Sequence, residues 1–107
     1  MHTGRLGDTL TTEQGRAAAE AVVRGLLATV KAELGGLERV ARVVKLLVFV
    51  SSAPGFHEQH LVAEGASRLL IEVFGEQVGR AARSAVGVAA LPLGFAVEIE
   101  AVVEIRD

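Results

Sequence analysis

The stretch Arg83-Ser84-Ala85-Val86-Gly87-Val88-Ala89-Ala90-Leu91-Pro92-Leu93-Gly94-Phe95-Ala96-Val97-Glu98-Ile99-Glu100-Ala101 reads as two strands joined by a Leu-Pro-Leu-Gly turn. Successive strand side chains point to opposite faces. Val97, Ile99, Ala101, Val103 and Ile105 therefore share one face of the second strand, and Glu98, Glu100 and Glu104 share the other. A loop over 91–94 pairs Ala90 with Phe95 and sets the register. Val86 then lies opposite Ile99, Val88 opposite Val97, Ala85 opposite Glu100 and Gly87 opposite Glu98, with Arg83 diagonal to Glu100 on the polar face. A guanidinium fork beside carboxylates, above a floor of Ala85, Gly87 and Ala89, leaves room for a small anionic ligand. The competing reading is a solvated cross-strand ion pair, worth a few tenths to about 1 kcal/mol. A slip of one residue in the turn changes every facing partner.

Upstream of this stretch the sequence alternates helix and strand. Residues 1–10 are polar and glycine-containing and read as a loop. Thr11-Thr12-Glu13-Gln14 has the form of a capping box. Ala18, Ala19, Val22, Val23, Leu26, Leu27, Val30 and Leu34 recur at helical spacing up to Gly35-Gly36, predicting a helix over about 12–34. Residues 39–51 are rich in Val, Leu and Phe and end at Ser-Ser-Ala-Pro-Gly. That run predicts a central strand whose second half is buried on both faces. A second helix is expected over about 57–74, with Leu61, Val62, Ala66, Leu69, Leu70 and Val73 on its apolar side and Gly75 at its end. Gly65 inside it costs about 1 kcal/mol relative to Ala, which marks a place of close packing. The last two strands fall at about 83–90 and 95–105.

A chain of 107 residues is one domain with a single core. Half of it is hydrophobic and 22% is charged, which excludes general disorder. Four Phe are its only aromatics, so the core is aliphatic. A formal charge of −2 gives no electrostatic case for nucleic acid. Zero cysteines removes disulfides, thiolate catalysis and Cys-based zinc sites. No segment is apolar for long enough to span a membrane. The start, Met-His-Thr-Gly-Arg-Leu-Gly-Asp, lacks the basic head and apolar stretch of a signal peptide. A soluble, cytoplasmic protein is expected.

The order helix, strand, helix, strand, strand predicts an α+β two-layer sandwich, with two helices packed on one face of a mixed β-sheet. Three strands make a narrow sheet, and its far face must be covered or stay wet. Symmetric self-association resolves both difficulties.

Other candidate chemistry is weaker. His57 and His60 stand at i, i+3 beside Glu58 and Glu64, but no third ligand follows at a convincing spacing. Ser51-Ser52 with a distant His is no triad, because nothing orients the pieces. Gly4-Arg5-Leu6-Gly7 lacks the strand-loop-helix context of a phosphate cradle. Glu98 and Glu100, on one strand, cannot flank a glycosidic bond from both sides.

At the quoted stretch the chain resembles the RidA/YjgF family, also labelled endoribonuclease L-PSP. The resemblance rests on Arg83-Ser84-x-Val86-x-Val88, Leu91-Pro92 and Val97-Glu98-Ile99-Glu100-Ala101, on Arg39-Val40 through Phe49-Val50, and on Phe56. It covers roughly residues 4–105. It implies a chorismate-mutase-like (YjgF-like) fold and a homo-oligomer, most often a trimer, with ligand sites in clefts between subunits. It also implies a hydrolase: deamination of reactive 2-imino or enamino acids to 2-keto acids and ammonia. Arg83 would clamp the substrate carboxylate and Glu98 would help to position water, with Ala85, Gly87 and Glu100 beside the substrate. No metal or organic cofactor is implied, and the partners are further copies and a small carboxylate-bearing metabolite, with no nucleic acid and no membrane. A non-catalytic carboxylate-binding trimer of the same fold is the alternative. Ribonuclease action rests on the family label alone, against an acidic balance and few stacking aromatics. Ala85 stands where the family usually has cysteine. The chain starts about where the family's N-terminal strand pair ends, and it has no Tyr.

Overall fold

Helix α1 (Thr12–Leu34) begins at a complete capping box. The Gln14 amide donates to Thr11 Oγ1 at 3.2 Å, and the Thr11 amide donates to Gln14 Oε1 at 2.8 Å. It ends at Gly35, whose φ of 80° places it in the left-handed region and whose amide donates to the Lys31 carbonyl. Strand β1 (Val40–Ser51) follows, then helix α2 (Gln59–Gly79), strand β2 (Ala82–Val88) and strand β3 (Val97–Ile105). The fold is a computed structural model that describes residues 2–107. Within α2 the helical path breaks at Gly75 (φ 84°, ψ 169°), where the sequence predicts its end, and one further turn carries the chain to Gly79.

The sheet has the order β2-β1-β3, with β2 parallel and β3 antiparallel to β1. This overturns the expected hairpin. β2 and β3 never pair, because β1 lies between them. The apolar run of β1 favours the position with neighbours on both sides. Residues 89–96 contain a tight 3-10 turn at Pro92–Gly94, but it joins no hairpin; the segment crosses the C-terminal end of β1. There Ser52 donates its amide to the Val88 carbonyl and Ser51 donates its amide to the Ala96 carbonyl, each at 2.9 Å.

The helices cover one face. Leu46, Val48 and Val50 of β1 point into the core with Val23 and Leu27 of α1 and Val62, Ala66, Leu69 and Leu70 of α2. Leu6 is also fully buried, its amide donating to the Ser51 carbonyl at 2.8 Å, so the supposed N-terminal loop contributes a core residue. Val73 departs from expectation in the other direction and is exposed. The helices meet through glycine: a Cβ on Gly65 would collide with the Arg16 carbonyl oxygen, and one on Gly15 would meet Leu6 and Val62 side chains at 2.6 and 2.8 Å. The far face of β1 is only half-buried at Leu47 and Phe49, not covered as the sequence predicts. Val86 (41% exposed) and Val102 (55%) extend that apolar surface. Among the described residues no helix is long and apolar enough to cross a membrane.

Candidate functional site

Register decides which polar side chains meet. Arg83 pairs with Leu46, which pairs on its other side with Ala101. Leu46 points into the core, so Arg83 points toward the helices. Ala85, beside Val48, and Gly87, beside Val50, share that side. Glu98 pairs with Phe49 and Glu100 with Leu47, so both carboxylates lie on the opposite, open face. The placement of Arg83 with Glu98 and Glu100 on one face is thereby corrected. Two strand spacings, about 10 Å, and the thickness of the sheet separate them within one chain.

Two of the three small residues of the expected shelf, Ala85 and Gly87, have neighbours on the helix side, and Ala89 is exposed. Ala85 packs against the core. A Cβ on Gly87 would meet Gln59 Nε2 at 2.8 Å and Ser52 Oγ at 3.1 Å, and Gln59 is held there by donating to the Phe56 carbonyl at 2.8 Å. The room lies elsewhere. Arg83 opens on a recess of about 390 Å³ between α2 and the start of β2, lined also by Glu64, Ser67, Ile71 and Arg80.

Helix α2 presents Glu64 and Ser67, at i and i+3, to this recess. Arg83 Nη1 donates to Glu64 Oε1 at 2.8 Å and to Ser67 Oγ at 3.0 Å. Among the described residues, neither Nε nor Nη2 of Arg83 has a partner. The Arg83 side chain is 23% exposed and that of Glu64 42%. Arg80, at the end of α2, is held by Glu76. Sequence reasoning missed Glu64 and Ser67 in this role. Their spacing was readable, but not their pairing with a strand that the hairpin reading had placed elsewhere.

The hydrogen bond from Arg83 holds the Glu64 carboxyl below its ordinary value of 4.5, against a smaller opposing effect of burial and with help from the charges of Arg83, Arg68 and Arg16. A lowered folded-state value means that the pair stabilises fully above the unfolded value and that this is lost as pH falls through the folded one. Because Glu64 is substantially exposed, the contribution stays under about 1 kcal/mol. Between about pH 5 and pH 3, urea unfolding should show a steeper loss of stability for the natural chain than for Glu64→Gln. Equal slopes would contradict the ion pair.

The other candidates take structural places. The Ser52 hydroxyl donates to the Val50 carbonyl at 2.7 Å, Ser51 is buried, and His57 and His60 are exposed. Among the described residues no three His, Asp or Glu gather as a metal site.

Comparison with known proteins agrees with this architecture. Residues 1–105 match the family described as Endoribonuclease L-PSP. The chain belongs to that family. It is 56% identical over 105 residues to protein TCP17 of Trypanosoma cruzi, covering 98% of this chain and 66% of that protein. A crystal structure of an Agrobacterium tumefaciens protein of unknown function superposes with a TM-score of 0.95 at 49% identity, covering 98% of this chain and 67% of that one. A Shewanella oneidensis structure, provisionally described as an endoribonuclease, gives 0.93 at 28% identity, with 98% and 69% covered. The chain thus spans about two thirds of the length of these relatives.

Proposed function

We propose that this L-PSP family chain binds a small carboxylate through Arg83 and, in an oligomer, hydrolyses reactive 2-imino acids to 2-keto acids and ammonia. The observation that carries the reading is the half-used guanidinium: Arg83 lines the recess, its Nη1 is anchored by Glu64 and Ser67, and among the described residues neither Nε nor Nη2 has a partner. That edge matches the two oxygens of a planar carboxylate. With the acid group fixed, water adds to the imino carbon and ammonia leaves as the carbonyl forms. A carboxylate near the water accepts its proton and returns one to the departing nitrogen. Glu98 is the family-matching group for this step. Lying on the other face of the sheet, it reaches a ligand on Arg83 only from a neighbouring copy. The surface formed by half-buried Leu47 and Phe49 with exposed Val86 and Val102 is apolar and suited to such self-association.

The separation of Arg83 from Glu98 within one chain favours one second reading, a carboxylate-binding oligomer without turnover. Ammonia release from an imino acid generated in situ by an amino-acid oxidase separates the two. Acceleration over the uncatalysed rate supports the hydrolase. Stabilisation by pyruvate with no acceleration supports the binding module.

A further inference from the structure

The geometry points to Glu64 and Ser67 as positioning residues for Arg83, and to Glu64 as the residue that restricts the recess to monocarboxylates. The inference rests on the reading of Arg83 as the carboxylate clamp. An arginine side chain on an edge strand ordinarily samples many rotamers. Here two acceptors three residues apart on α2 both take Nη1, at 2.8 and 3.0 Å. That choice fixes the plane of the guanidinium and leaves the Nε–Nη2 edge whole. Binding through that edge then needs little further ordering of the side chain, which is where preorganisation gains affinity.

The charge arithmetic gives the specificity. Glu64 neutralises Arg83, and Glu76 neutralises Arg80. One incoming carboxylate brings the recess to a single negative charge. A second carboxylate on the same ligand would sit near Glu64 with no unpaired cation among the residues that line the recess, since Arg68, whose charge also acts on Glu64, lines a separate groove between α1 and α2. Dicarboxylates are therefore rejected by repulsion.

Calorimetric titration of the full chain with pyruvate and with 2-oxoglutarate tests this. The natural chain should bind pyruvate more tightly. Glu64→Gln, which keeps shape but removes charge, should shift the affinity ratio toward 2-oxoglutarate by about tenfold. Ser67→Ala should weaken both ligands severalfold and leave their ratio unchanged, since it removes an anchor without altering charge. A merely structural role for Glu64 would lower stability and leave the ratio where it was. An unchanged ratio in Glu64→Gln, with pyruvate binding still lost in Arg83→Ala, overturns the inference and spares the clamp. Pyruvate binding that survives in Arg83→Ala overturns the clamp itself.

Discussion

Arg83→Ala should lower kcat/KM for a small 2-imino acid by about 10²–10³-fold while changing stability little. The loss follows from the chemistry of the fork. Truncating one partner of a hydrogen-bonded charge pair in a partly desolvated site costs about 2–5 kcal/mol, and the middle of that range corresponds to a rate effect of this size. The fold should survive because Glu64, left without its cation, is already 42% exposed and turns to water. Its melting temperature should fall by a few degrees at most. Ammonia-release kinetics and thermal melts check both halves. If the chain only binds, the same factor appears as a weaker pyruvate affinity. Undiminished rate and affinity would remove Arg83 from the site.

Gly65→Ala should strongly destabilise the scaffold although it adds only one methyl group. A methyl group there collides with the backbone carbonyl of Arg16, and a backbone atom cannot rotate aside as a side chain can. The helices must separate, pulling Val62, Ala66 and Leu69 from their partners. Overpacking of this kind costs about 1–3 kcal/mol or more, against a helix-propensity gain of about 1 kcal/mol for replacing glycine. A net loss of about 2 kcal/mol lowers the melting temperature by roughly 8–16 °C in a domain of this size. Gly25→Ala supplies the opposite sign. Nothing lies within 4 Å of its added Cβ, so the propensity gain stands alone and the protein should melt higher. A Gly65→Ala protein as stable as the natural chain would show that the helix contact yields easily.

The helices were legible because their information is local. The Thr11–Gln14 cap, the Gly35 stop and the apolar spacing from Ala18 to Leu34 each act within a few residues. The centrality of β1 was equally plain in its Val- and Leu-rich run. Strand pairing was not legible, because a Leu-Pro-Leu-Gly sequence is compatible with a turn and says nothing about a strand that arrives from far along the chain. The preference of β1 for two neighbours outweighed the sequence proximity of β2 and β3. The site inherited that error. Arg83 was identified from its residue type and family pattern, but Glu98 moved to the other face. Glu64 and Ser67 entered only once the β1-α2-β2 crossover set α2 beside β2. Leu6 escaped notice for a similar reason: a lone leucine among polar residues has no periodicity to reveal it.

Co-assembly of two defective chains tests most directly whether the reactive centre is shared between copies. Arg83→Ala and Glu98→Ala should each be nearly inactive alone. Co-expressed in equal amounts, they should regain about a quarter of the natural activity, since a shared site draws its arginine and its glutamate independently from mixed pools. Activity that stays at the level of the separate variants would contradict a site built from two chains.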